Sequence, residues 1–166
     1  MERSVSPSSS ISATRLVYGF LAAVMATLIF HQIGLLLLHF AGMTPDMPYD
    51  TRPTPPFGVP RVISLAFWGG LWGIVFVLAE RYIARSPGGY WIGAIIFGAI
   101  LPDVVSWFVV APLKGLPVGY GFHFPGLLVG PIVNGLWGLG MAVILNGRLS
   151  IEPVVALILP AIGLPS

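Results

Sequence analysis

Cysteine is absent from the 166 residues. Its absence excludes disulfides, thiolate metal sites, iron–sulfur clusters and c-type haem attachment. Charge is nearly as scarce: Lys, Arg, Asp and Glu make up 8% of the chain, against about a quarter in an ordinary soluble domain. Eight bases and six acids cannot solvate the surface of a 17.7 kDa globule. A water-soluble fold is therefore excluded. The formal net charge of +2 is small and scattered along the chain, which gives no basis for a nucleic-acid surface. No G-x-x-x-x-G-K-[ST], H-E-x-x-H or G-x-S-x-G occurs, so the chain is not expected to be an enzyme. The 21 glycines and 16 prolines follow no collagen period.

What is present is apolar. Hydrophobic residues are 56% of the chain and the mean hydropathy is +0.91. They fall in long blocks rather than at period 2 or 3.6, the pattern of segments that face lipid. The expected class is an all-α integral membrane protein with four transmembrane helices, in a bacterial inner membrane.

Residues 1–15 read as a polar, Ser-rich cytoplasmic tail, and residues 16–148 as the transmembrane domain. The spans are predicted at about 16–42, 62–79, 90–112 and 122–146, with a proline-rich loop at 43–60 and a tight turn at Ser86-Pro87-Gly88-Gly89. Residues 149–166 form a short, proline-broken apolar segment, read as interfacial or packed on the bundle. The apolar stretch after Arg3 and Arg15 is too long for a secretory h-region, so an uncleaved first span is expected. Arg3, Arg15, Arg81, Arg85 and Arg148 fall on one side of this topology, and Arg52, Arg61 and Lys114 on the other. That asymmetry puts both termini in the cytoplasm.

Sliding the chain by 65 positions lays Phe57 and Pro60 on Phe122 and Pro125, and Gly70-Leu71-Trp72-Gly73 on Gly135-Leu136-Trp137-Gly138. A slide of 72 lays Tyr18 on Tyr90 and His31 on Asp103. Two tandem helical hairpins related by a pseudo-two-fold along the membrane normal are expected. Gly69, Gly70, Gly73, Gly135 and Gly138 would let helix backbones approach, with Trp68, Trp72 and Trp137 filling the space beside them. Such seams serve inside one chain or between subunits.

Ionisable groups in hydrocarbon are costly and normally point inward. His31 lies 16 residues beyond Arg15, Asp103 lies 13 beyond Tyr90, and Asn134 lies 12 from Phe122. Counted so, they form a polar cluster near the midplane with Gln32 and Ser106, and Pro102 leaves an unpaired carbonyl one turn before Asp103. A His31–Asp103 pair would clamp helices, relay a proton or hold a small solute. His39 and His123 fall at the non-cytoplasmic ends of their spans, near Asp46 and Asp50, where two imidazoles would suit a metal or haem. In the stiff proline-rich loop, Tyr49, Asp50 and Arg52 are candidates for docking a partner.

Three functional readings compete, in order. The first is an accessory or structural subunit of a larger membrane complex, using the Gly/Trp faces and the loop. The second is a small-solute or proton transporter using His31, Asp103 and Asn134. The third is a haem- or metal-binding redox protein using His39 and His123. No cofactor is predicted. The lipid bilayer and other membrane subunits, or a second copy of the chain, are the expected partners, and haem or a pigment is what a lone imidazole on an apolar helix would hold.

Overall fold

Ser12 starts the first helix: its hydroxyl accepts the Arg15 backbone N–H at 3.2 Å, satisfying one of the donors that a helix start leaves free. The computed structural model describes residues 11–85, 88–147 and 151–164. The polar tail before residue 11 with Arg3, the Ser86-Pro87 half of the expected turn, and Arg148 lie outside the described residues.

Helix α1 runs Ala13–Phe40, α2 Arg61–Ile83, α3 Gly89–Leu113 and α4 Gly126–Leu145, and each is long and apolar enough to cross a membrane. The fourth span begins four residues later than the apolar run suggests. Val118–Gly121 forms a 3₁₀ turn and Phe122 takes a left-handed backbone, φ 51°, so this apolar stretch is a turn before α4 starts. A short helix α5, Glu152–Ala161, is too short to cross at about 1.5 Å per residue. It buries Val155 and Leu159, one turn apart, in the main core.

The proline-rich loop is more regular than a bare loop. Pro53–Thr54 (β1) pairs antiparallel with Val59–Pro60 (β2), Pro53 opposite Pro60 and Thr54 opposite Val59. Pro55 to Gly58 form the tip of this hairpin.

α1 packs on α2 and α3 packs on α4 over long interfaces, and α1 against α4 joins the two pairs. Small residues make this possible. Built on ideal geometry, a Cβ at Gly73 would strike the Gly19 carbonyl and the Ala23 side chain. One at Gly138 would strike the Ala94 carbonyl, and one at Gly98 the Asn134 carbonyl. The backbones touch there, as small-residue seams in bilayers allow. Phe76, Phe97, Trp137 and Met141 fill the centre with Ala22, Ala23, Ala26 and Ala94. Trp137 donates its indole N–H to the Ala23 carbonyl at 3.0 Å, tying α4 to α1.

Both α1 and α3 are interrupted by one π-helical turn, Thr27–His31 and Ser106–Val110 respectively. Such a turn inserts one residue into the ladder and is frequent at functional sites.

Candidate functional site

Two charged layers bracket the apolar bundle. At one end Arg15 Nη2 donates to both carboxylate oxygens of Glu80, at 2.8 and 2.7 Å, and Tyr90 lies beside this pair. At the other, Arg61 at the start of α2 reaches Asp46 at 3.0 Å and Asp50 at 3.2 Å, while Arg52 holds Asp50 at 2.6 Å. Between Arg61 and Glu80 lie 19 helical steps, a rise of about 28 Å, close to a hydrocarbon thickness.

Measured against these layers, His31 sits near the loop end, while Asp103 lies between that end and the midplane. His31 is 16 steps from Arg15 and Asp103 is 13 from Tyr90, about 24 and 20 Å from the Arg15–Glu80 layer. They also do not meet. Among the described residues no hydrogen bond or ion pair joins His31 to Asp103; each has its own surroundings.

His31 and Gln32 belong to the loop. Gln32 Oε1 accepts the Tyr49 backbone N–H at 2.8 Å, and its Nε2 donates to the Thr27 carbonyl at 3.3 Å and lies 3.4 Å from His31 Nδ1. The Tyr49 hydroxyl donates to the Leu28 carbonyl at 2.7 Å. Leu28 lies inside the π turn, where backbone carbonyls are available to side chains. Tyr49, Asp50 and Arg52 are thus internal struts. Asp50 accepts the Arg52 backbone N–H at 2.9 Å and its own carbonyl receives the Val62 N–H at 2.9 Å. The Arg52 guanidinium, then its backbone N–H, holds the Asp50 carboxyl well below the usual carboxylate range.

Asp103 is the buried acid of the α3–α4 interface, 4% exposed. Its Oδ2 accepts from Asn134 Nδ2 at 3.1 Å. A Cβ at Gly130 would fall on Asp103 Oδ1, so only glycine leaves the carboxyl its place. Ser106, one turn on in α3, has its hydroxyl 3.2 Å from the Tyr120 hydroxyl in the 3₁₀ turn. The predicted five-residue cluster is therefore three groups: His31 with Gln32, Asp103 with Asn134, and Ser106 with Tyr120. Tyr120 and Gly130 were missed, because neither a loop tyrosine nor one glycine among 21 stands out in the sequence.

The glycine faces are turned inward. Gly70 lies against the Phe20 ring, Gly69 against Thr27 Oγ1, and Gly135 against Ala99 and Ile95. Trp137 is buried, and Trp72 packs edge-on against Phe97 at 6.1 Å. Trp68 is outward-facing.

His39 leaves a buried Nδ1 without a hydrogen-bond partner, and His123 is exposed. Among the described residues no three of His, Asp and Glu gather to hold a metal ion. Two cavities, of about 390 and 240 Å³, open between the start of α1 and α5 around Thr14, Tyr18 and Glu152, and neither reaches His31, Asp103 or Asn134.

No protein-family model, curated protein or solved structure matches this chain.

Proposed function

We propose that the chain is a structural subunit of a larger assembly in a bacterial inner membrane, contacting its partner through the extramembrane hairpin. The observation that carries this reading is Phe57, 88% exposed at the tip of the hairpin. An aromatic held out by a braced support is unfavourable in water and suits a partner's pocket. The brace is the Asp46, Asp50, Arg52 and Arg61 lattice, continued by the Tyr49–Gln32 and Tyr49–Leu28 hydrogen bonds into α1. A loop tied at so many points loses little entropy on docking. The glycine seams are spent on packing inside the chain, so the bundle serves as scaffold and the hairpin as the contact.

The same reading takes the bundle as two pseudo-repeated hairpins with Ser12 and Arg85 facing the cytoplasm. Support comes from the seams: Gly73 faces the pair Gly19 and Ala23, and Gly138 faces the pair Ala94 and Gly98, four residues apart in each case. A π turn interrupts the first helix of each hairpin.

A photo-crosslinking residue in place of Phe57 tests the contact in native membranes. The expected result is one stoichiometric adduct, identified by mass and lost when Arg61→Gln loosens the brace. A chain that purifies in gentle detergent without a partner, and gives no adduct from position 57, overturns the proposal.

A further inference from the structure

Asp103 poses a charge problem that the described residues leave unsolved. The carboxyl is 4% exposed, and its hydrogen-bond donor is the neutral amide of Asn134. Among the described residues no cation pairs with it. Among the described residues the surrounding elements supply none: His31, on the π turn of α1 that packs against α4, lies with Gln32 instead. Between Gly126 and Leu145, α4 has no ionisable residue. The charged groups of α2 are at its ends: Arg61 is held by Asp46 and Asp50, Glu80 by Arg15, and Arg81 lies against Tyr82. The one other ionisable side chain of α3 is Tyr90, at its far end, and the 3₁₀ turn adds Tyr120. A bare carboxylate at such a depth is strongly unfavourable.

The carboxyl lies close against α4. Gly130 has no side chain where Oδ1 lies, Asn134 Nδ2 donates to Oδ2, and Pro102 has no N–H to give the Gly98 carbonyl one turn back. Toward the loop, Ser106 and then Tyr120, 45% exposed, form polar steps to the surface. Toward the Arg15–Glu80 end the way is shut, because Gly98, Ala94 and Gly138 bring α3 and α4 into backbone contact.

We infer that Asp103, with Asn134 and Ser106, is a dead-end binding site for one small positive charge, a proton or an alkali cation, reached from the Tyr120 side. It binds and does not conduct through. The inference is independent of the subunit reading, since it concerns α3 and α4 and no residue of the hairpin.

Dicyclohexylcarbodiimide tests it on the full-length protein in native membranes. The reagent takes up the carboxyl proton on nitrogen while the carboxyl oxygen bonds to its central carbon, and the acylisourea rearranges to a stable acylurea read by peptide mass. Labelling at Asp103 is expected, and Asp103→Asn abolishes it. If the ligand is a proton, labelling falls about tenfold per pH unit once the carboxyl ionises and ignores added Na⁺ or Li⁺. If it is an alkali cation, Na⁺ or Li⁺ suppresses labelling at constant pH. Tyr120→Phe, a mild change at the surface, slows labelling without altering the folded bundle. Absence of label at Asp103 at every pH, or labelling indifferent to pH and to both cations, overturns the inference.

Discussion

Asp50 shows how one carboxylate can organise a loop. It accepts hydrogen bonds from the Arg52 guanidinium and backbone and from Arg61, and these hold its carboxyl well below the usual range. A group whose pKa is depressed on folding adds stability above its unfolded value, and that stability drains away as pH falls toward the folded value. For Asp50 the unfolded value is about 3.9. Arg52→Gln removes the largest cause of the depression, so it should loosen the hairpin by a constant amount from neutral pH down to about 5. The difference from wild type should then shrink with further acidification and close only well below the ordinary carboxylate range. Limited proteolysis of the segment Met43 to Pro60 by an acid-active protease, across a pH series, reads it. A difference that already closes between pH 7 and 5 would show that another group controls the loop.

Helix seams make a sharper demand on single positions than hydropathy does. Gly73 and Gly126 are both glycines of helices long and apolar enough to cross a membrane, yet a Cβ at Gly73 runs into the Gly19 backbone, while one at Gly126 meets nothing within 4 Å. Gly73→Val should cost about 2 kcal/mol or more, since neither backbone can yield without parting α1 from α2. Gly126→Ala should be neutral or stabilising by up to about 1 kcal/mol, through lower freedom in the unfolded chain. Unfolding in mixed micelles, titrated with denaturing detergent, measures both. Equal effects would mean that the seam does not set the packing. The contrast also marks what the sequence reveals. Four apolar runs announce four helices, because spanning length is a property of composition. Counting residues gives height along a helix but neither its facing direction nor its partner. The π turn at Thr27–His31 adds a residue just before Gln32, turning the remainder of α1 by about 100° relative to an unbroken helix. Gln32 therefore meets the loop at Tyr49, and His31 stays with it instead of meeting Asp103. The fourth span's start was hidden for a similar reason: Phe122 and Phe124 are apolar, but the left-handed turn at Phe122 is invisible in hydropathy.

The arrangement of the two charged layers bears on how the chain lies in a bilayer. Arg15 and Glu80 close one end of the α1–α2 pair, and Arg61 with its two aspartates closes the other. The rise between them is about one hydrocarbon thickness. The basic side chains near the first layer, Arg15, Arg81 and Arg85, are adjacent to helix ends, where they count most toward orientation. At the opposite end two of the three, Arg52 and Arg61, are neutralised by Asp46 and Asp50, and the rule weighs basic residues over acidic ones. Arg52 and Arg61 therefore still count beside Lys114, and the margin rests on Arg3 and Arg148 added to Arg15, Arg81 and Arg85. The chain's lack of cysteine makes the orientation directly measurable, because each single-cysteine variant labels at one position against an empty background. Thr54→Cys on the hairpin should react with a membrane-impermeant maleimide in intact cells. Ser12→Cys should react only after the membrane is opened. The reverse pattern would place the hairpin in the cytoplasm and move the search for its partner there. Arg81→Glu with Arg85→Glu should weaken the bias enough to yield a mixed population, with both sites labelled in part from outside. If the doubly substituted chain kept a single orientation, the loop lattice itself, rather than the arginines beside α2, would be what holds the protein the right way round.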